Sequence, residues 1–413
     1  MKIGYYIHHT TISAGGIFTY SIGILRELLK STDIEKIIII TSNDVASKIQ
    51  NYINDEKIET KIVDRNNILI NLKLWIWYVL FFLTINFQRL IPINKFFHFL
   101  KQKEANLNPY QKIITSSKID VLHIPVQYSP IYKTLVPVII TMHDLQEYHF
   151  PHYFSFKERL GRKIKNRMSI NDSDHIIVSF NHVKNDIIKS FMIEEKKVSV
   201  CPPPFAESWF LQKNETDWSS LAKKYELEKK YLLYPAATWK HKNHSKLLEA
   251  FKEIIDDGLD YELVCTGNKT EFFDKVIRKW IKELNLSNTV HFLGIVPEED
   301  LIGLYKNTSL VVIPTLYEAG SGPLYEAMRY EAPVICSNVT SLPYTIQNDD
   351  FVFDPTNSVA IAEKIKMGLT TEEFRKRNVE NSKLRMQYFK EIDYTKNFIE
   401  VYKMIKQNSL FKK

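Results

Sequence analysis

Short apolar runs alternate with longer stretches of helical periodicity from the first residues onward. KIGYYI (residues 2–7), IEKIIIITS (34–42), IDVLHIP (119–125), VPVIITMHD (136–144) and HIIVSF (175–180) are apolar runs bounded by polar or turn-forming residues, which predicts buried strands. Between the first two lies GIFTYSIGILRELLK (16–30), whose apolar positions recur every three to four residues and predict an amphipathic helix. Such alternation signals βαβ units around a parallel sheet. In CPPPF (201–205) three prolines lack backbone donors and mark a linker, and then the series starts again. YLLYPAA (231–237), YELVCTG (261–267), TVHFLG (289–294), SLVVIPT (309–315) and APVICSN (332–338) read as strands. HSKLLEAFKEIIDD (244–257), DKVIRKWIKELN (274–285) and EEDLIGLYKN (298–307) read as the helices between them. The pattern predicts an α/β protein of two doubly wound domains, 1–204 and 205–385, with a ligand site between them. Residues 386–413 are expected to form terminal helices and a tail that pack back on the first domain.

Composition agrees with two large cores. Of 413 residues 45% are apolar, 13% aromatic and 25% charged, which excludes disordered, collagen-like and low-complexity classes. Cys201, Cys265 and Cys336 are odd in number and far apart in apolar or Pro-rich runs, as expected of buried thiols in a reducing compartment. No CxxC or HxxxH spacing suggests a metal. MKIGYYIHHT has no apolar stretch followed by a small-residue cleavage site, so export by a signal peptide is not expected.

The net charge of +7 is concentrated in two places. LKLWIWYVLFFLTINF (72–87) is too short to span a bilayer, and it reads either as a buried helix or as one lying in the membrane interface, with Trp75, Trp77 and Tyr78 at headgroup depth. Residues 88–103 favour the interface, because Arg89, Lys95, Lys101 and Lys103 are interleaved with Phe96, Phe97 and Phe99 and no acid is present. KERLGRKIKNR (157–167) adds six cations and one acid on a predicted helix, which reads by default as a solvated basic face and otherwise as a membrane-docking one. Taking the +4 and +5 of these segments from +7 leaves −2 for the rest of the chain, so the surplus is two patches on the first domain. An anionic membrane suits them better than nucleic acid, for which no motif is present.

The densest chemical signal is TLYEAGSGPLYEAMRYEAPVICSN (315–338): a strand end, a Gly-rich turn, a helix opening near Pro323 and another strand. Gly320, Ser321 and Gly322 let a ligand approach the backbone, and the amides at the helix start form an anion site. Glu318 precedes the turn at the strand's carboxyl end, and Glu326, one turn inside the helix, is placed to accept hydrogen bonds from the vicinal hydroxyls of a ribose. Lys240, His241, Lys242 and His244 follow YLLYPAA, where a cation neutralises charge growing on a leaving diphosphate. Gly15 and Gly16 separate the first strand from its helix, and His143, followed by Asp144, ends another strand. Asp172 and Asp174 form an Asp-x-Asp match that reads as a helix-to-strand turn rather than a metal site. Neither GxGxxG nor GxxxxGK[ST] occurs.

On these residues the chain resembles the retaining GT-B glycosyltransferases of family 4, whose hallmark is Glu, seven residues, Glu, then Ala and a later Pro-Val pair. YLLYPAATWKHKNHSKLLEAF, HFLGIVPEEDLIGLYKNTSLVVIPTLYEAGSGPLYEAM, APVICSNVTSLPYTI and FDPTN stand in the family's order, as do AGGIFTYSIGILREL, TMHDL and IIVSFNHVKNDIIKSF followed by CPPP. The resemblance implies a GT-B fold of two Rossmann-like domains and transfer of a hexose or deoxyhexose from a nucleotide diphosphate sugar with retention of configuration. It implies that Glu326 binds the ribose, Glu318 faces the donor sugar, and Lys242 and the backbone from Gly320 through Ser321, Gly322 and Pro323 to Leu324 hold the phosphates. It further implies that the Gly15–Gly16 loop meets the distal phosphate and that His143 lies beside the sugar.

Two departures stand out. No arginine precedes Lys242 near Ala237 to Trp239, where Lys240 or His241 are the available substitutes, and Gly320 and Ser321 replace the usual aromatic and glycine. No cofactor or obligatory metal is expected. The basic and aromatic patches point to a lipid-linked saccharide acceptor, surface polysaccharide or lipopolysaccharide assembly, and a cytoplasmic enzyme peripheral on the inner membrane. The alternatives are a nucleotide-sugar epimerase or hydrolase and a non-catalytic binding protein on the same fold.

Overall fold

The computed structural model describes residues 1–8, 16–50, 53–63, 72, 75–76, 79, 110–127, 131, 134, 136–204 and 215–410. Gly15 and most of the aromatic and cationic stretch 72–103 lie outside the described residues. The chain divides into two compact units, residues 1–204 with 393–413, and residues 205–392. The 385 boundary falls inside the helix Glu372–Glu391, which belongs as a whole to the second unit.

In the first unit, β1 (Lys2–Tyr6), β2 (Lys36–Thr41), β3 (Ile58–Ile62), β4 (Val121–Ile124), β5 (Val138–Thr141), β6 (His175–Val178) and β7 (Val198–Val200) form a parallel sheet in the order β3-β2-β1-β4-β5-β6-β7. Both faces are buried, which is why the strand sequences are continuously apolar instead of alternating. Successive side chains point to opposite faces: Ile37 and Ile39 join Tyr5 and Val121 in one core, while Ile38 and Ile40 join Leu122 and Ile124 in the other. Edge strand β3, IETKI, is half-exposed and so carries polar residues; apolar content alone does not reveal it.

The helix Tyr394–Leu410 completes the first of these cores through Phe398, Ile399, Val401, Tyr402 and Ile405. A buried polar link fixes its register, since His123 on β4 lies 2.6 Å from the Tyr402 hydroxyl through Nδ1 and 2.9 Å from the Thr141 hydroxyl through Nε2.

The second unit holds β8 (Tyr231–Pro235), β9 (Glu262–Thr266), β10 (Val290–Gly294), β11 (Leu310–Ile313), β12 (Val334–Ser337) and β13 (Val352–Phe353), parallel in the order β10-β9-β8-β11-β12-β13. Connections from β8 run towards β9, whereas β11 is added on its other side. The switch point of this sheet is therefore between β8 and β11, the place where ligands of open α/β sheets bind beside the strands' carboxyl ends. Asp172 ends the helix Phe156–Asp172 and Asp174 accepts a 2.9 Å hydrogen bond from the Val138 amide, the geometry of a helix-to-strand turn. All three cysteines are buried free thiols. Among the described residues no helix is long and apolar enough to cross a membrane.

Candidate active site

Lys242 is delivered by the loop after β8. Residues Lys240–Lys242 form a 3-10 turn, and Asn243, with φ of 60°, reverses the chain into the helix His244–Asp256. Asn tolerates this left-handed backbone better than most residues. Its buried side-chain amide donates to the carbonyls of Pro314 and Pro355, each at 2.8 Å, tying together the chain ends that follow β8, β11 and β13. The His241 carbonyl accepts from the Leu316 amide at 2.8 Å and the Thr315 hydroxyl at 3.0 Å, and the Tyr234 hydroxyl donates to the Lys242 carbonyl at 2.7 Å. Beneath the loop, Gly267 has φ of 108°, and a Cβ there would sit 2.7 Å from the backbone of Ala236 and Ala237, so only glycine fits.

Lys242 and Glu318 meet across the switch point: Nζ lies 2.5 Å from Oε1, and the two side chains are only 17% and 9% exposed. Such a pair is largely removed from water, and each charge is the other's counter-ion. Burial, helped by Lys242, pushes the His241 pKa down to about 3, so its ring is neutral, and the Lys240 ammonium lies over the Phe272 ring at 5.9 Å.

Glu318 opens the turn that leads into the helix Gly322–Arg329. Its amide donates to the Thr340 hydroxyl at 3.0 Å and its carbonyl accepts from the Ser341 hydroxyl at 3.2 Å. Ser321 occupies the N-cap, yet its hydroxyl makes no capping bond and is buried without a hydrogen-bond partner. The Leu324 amide already donates to the Ser321 carbonyl at 3.2 Å, and Pro323 has no N–H to give. An anion approaching this helix start would therefore meet the amides of Gly320, Ser321 and Gly322, while Pro323 presets the first turn.

Glu326 is one turn further on. Tyr305, from the helix Glu298–Asn307, donates its hydroxyl to Oε2 at 2.7 Å. Burial pushes the Glu326 pKa up, while the Tyr305 hydrogen bond opposes that rise. Tyr305 thus orients the carboxyl group through Oε2.

His143 and Gly16 belong to the first unit. His143 follows β5, and its Nε2 donates to the Pro125 carbonyl at 3.0 Å, which assigns the neutral ring's proton to Nε2 and leaves Nδ1 as its acceptor atom. Burial pushes its pKa below the ordinary histidine value, against the raising effects of the Pro125 carbonyl and Asp144. Tyr20 packs edge-on at 4.9 Å, and Gly16 starts the helix Gly16–Lys30. Among the described residues no three His, Cys, Asp or Glu side chains converge as a metal-binding group.

Glu318, Glu326 and Lys242 were legible from sequence; Asn243, Tyr305, Thr340 and Ser341 were not. A local signal existed for Asn243 alone, an Asn between a strand end and a helix, where a left-handed residue is often needed.

Two units, each with one parallel α/β sheet, are the architecture of the GT-B class, and solved glycosyltransferases share the fold. A glycosyltransferase from Rickettsia africae superposes with a TM-score of 0.65 at 16% identity, covering 98% of each chain. HepE from Anabaena, solved with UDP and glucose, gives 0.64 at 14% identity over 98% of this chain and 100% of that one. Residues 219–385 match the family model of the glycosyl transferases group 1, and residues 86–207 match that of Glycosyltransferase Family 4. The chain belongs to the family 4, group 1 glycosyltransferases. Among its relatives, the O-antigen chain mannosyltransferase B of Escherichia coli is 27% identical over 288 residues, 69% of this chain and 74% of that protein. The O-antigen chain mannosyltransferase RfbU of Salmonella typhimurium is 26% identical over 227 residues, 55% of this chain and 59% of that protein.

Proposed function

We propose that the chain transfers a hexose or deoxyhexose from a nucleotide diphosphate sugar to a lipid-linked saccharide during bacterial surface polysaccharide assembly, with retention of configuration. The Lys242–Glu318 pair at the switch point of the second unit carries this reading. When the donor enters, a diphosphate oxygen replaces Glu318 as the partner of Lys242, and the released carboxylate accepts hydrogen bonds from the sugar hydroxyls. As the bond from the anomeric carbon to the diphosphate breaks, its electron pair leaves on a phosphate oxygen that Lys242 and the amides of Gly320, Ser321 and Gly322 stabilise, the acceptor's hydroxyl oxygen bonds to the anomeric carbon on the same face, and the hydroxyl proton passes to the departing phosphate oxygen. Glu326 holds the ribose, while neutral His143, in the first unit, keeps Nδ1 as an acceptor atom. Phosphate charge is met by lysine and amides, so turnover survives chelation of divalent cations. Mannose is the first sugar to test, because the two relatives above are named mannosyltransferases.

A panel of GDP-mannose, UDP-glucose, UDP-galactose and dTDP-rhamnose, read by thermal stabilisation, tests the donor site, since a ligand of the folded state raises its apparent stability. Stabilisation of the native chain that Glu326→Ala abolishes is expected. Equal stabilisation of both proteins would remove the ribose assignment.

The acceptor part of the proposal rests on the helix Phe156–Asp172. A capping box between Ser155 and Glu158 starts it, and Phe156 and Leu160, 73% and 46% exposed, stand among Lys157, Arg159 and Lys163. Apolar side chains within a cationic surface suit an anionic bilayer, which supports a peripheral position at the cytoplasmic membrane surface. Vesicles of phosphatidylglycerol should bind the chain at low salt and lose it in Phe156→Ser/Leu160→Ser. Failure of the native chain to bind would remove this support.

A further inference from the structure

Glu318 is gripped at both ends of its backbone by two consecutive residues that follow β12, and one of them is strained. Thr340 has φ of 51°, in the left-handed region that a β-branched residue rarely enters. That backbone places its hydroxyl 3.0 Å from the Glu318 amide, while the next residue, buried Ser341, donates its hydroxyl to the Glu318 carbonyl at 3.2 Å.

The grip is itself anchored. The Ser341 carbonyl accepts from the Thr345 amide at 3.0 Å and the Thr345 hydroxyl at 2.9 Å. Arg385, buried and reaching in from the helix Glu372–Glu391, donates to the carbonyls of Thr345 at 2.9 Å and Tyr344 at 3.1 Å. Strain in an unfavoured backbone region persists only where surrounding structure over-determines it. Here the bonds around Ser341 and Thr345 provide that determination, and the beneficiary of the Thr340 conformation is the carboxylate-bearing residue beside Lys242.

We infer that Thr340 and Ser341 are positioning residues that set the orientation of Glu318 towards the donor sugar; this rests on the reading of Glu318 given above. Because Glu318 follows the strand end by only a few residues, its side chain points wherever its peptide is turned. Two hydroxyl contacts to that peptide fix the turn independently of the Lys242 ion pair. The carboxylate therefore keeps its aim when Lys242 changes partner to a phosphate.

The inference is tested with Thr340→Gly, Thr340→Ser and Ser341→Ala beside Glu318→Gln, each in the full chain. Turnover is read as nucleoside diphosphate release from the nucleotide sugar that stabilises the native chain most in the panel. Thr340→Gly removes the hydroxyl and relieves the left-handed strain together, so its melting temperature should equal or exceed that of the native chain while kcat falls about 10- to 100-fold, the cost of a misplaced catalytic group. Thr340→Ser keeps the hydroxyl without the β-branch and should retain native kcat. Ser341→Ala should lower kcat with little change in KM. Native kcat in both Thr340→Gly and Ser341→Ala, with Glu318→Gln inactive, would overturn the positioning role and leave Glu318 in place. A parallel loss of melting temperature and kcat in Thr340→Gly would show an ordinary structural contact and overturn it too. Native turnover in Glu318→Gln would remove the reading of Glu318 and the inference with it.

Discussion

Replacing Asn243 by alanine tests whether the site is assembled by cross-loop hydrogen bonds. The substitution removes two 2.8 Å donations, to Pro314 and Pro355, at a residue that is 6% exposed. Each neutral hydrogen bond contributes about 1 kcal/mol net, more where the abandoned carbonyl stays dry. Forcing alanine to φ of 60° adds about 1 kcal/mol, because a left-handed L-residue crowds its Cβ against the following carbonyl. Together these give about 3 kcal/mol, or roughly 6–12 °C in melting temperature for a unit of this size. Asn243→Gly separates the contributions: it recovers the backbone part and keeps the loss of both bonds, so it should fall between the native chain and alanine. Differential scanning calorimetry reads the stability, and donor-induced stabilisation reads the site. Because Asn243 adjoins Lys242 and ties it to the loop that carries Glu318, donor binding should weaken in both variants, including at temperatures where they remain folded. Melting temperatures within a degree of native for Asn243→Ala would refute the reasoning, and native donor binding in both variants would show that the tie does not set the site.

Glu326→Gln should stabilise the ligand-free chain at pH 7.5 while weakening its response to donor. Burial raises the folded pKa of Glu326 above its ordinary 4.5, so its contribution is fully present below that value and is lost as pH rises through the raised one. A glutamine still accepts from Tyr305 but carries no buried charge, and a melting temperature that falls at pH 7.5 would count against this. Burial sets the pKa values of His123 and His244 at about 3 and of His175 at about 4, well below 6.5. Their stabilisation is present above pH 6.5 and is lost on acidification, at about 1.4 kcal/mol per pH unit for each group. Urea midpoints should fall between pH 6.5 and 5, and a flat profile there would contradict the buried, neutral assignment. Ending the chain at Ile392 strips five apolar side chains from the first unit, from Phe398 to Ile405. At about 2 kcal/mol each the gross loss is roughly 10 kcal/mol, comparable with the whole stability of a domain. That unit should lose its cooperative transition and become protease-sensitive, with the second unit intact.

The local alphabet determined much of this protein. Apolar runs such as IIII in β2 and LVVI in β11 announce strands buried on both faces, because the two-residue period of side-chain direction leaves no place for a polar face. Gly-rich turns opening on a helix at residues 320–323, with Glu318 and Glu326 around them, announce an anion and hydroxyl site, because free amides and the helix dipole are properties of a few consecutive residues. Short or half-exposed strands such as β3 and β13 escaped, since two to five residues of mixed polarity carry little periodic signal.

The tertiary structure alone decided which distant residues meet. Lys242 and Glu318 are 76 residues apart, His123 and Tyr402 279 apart, and Thr340 reaches back 22 residues to the Glu318 amide. In a parallel sheet every neighbouring strand arrives by a crossover, so strand order, not sequence spacing, sets which carboxyl-end loops touch. Asn243 shows the consequence most directly: a residue with no chemistry of its own joins three loops only because β8 lies beside β11 in a parallel sheet whose carboxyl ends, that of β13 included, all face one way.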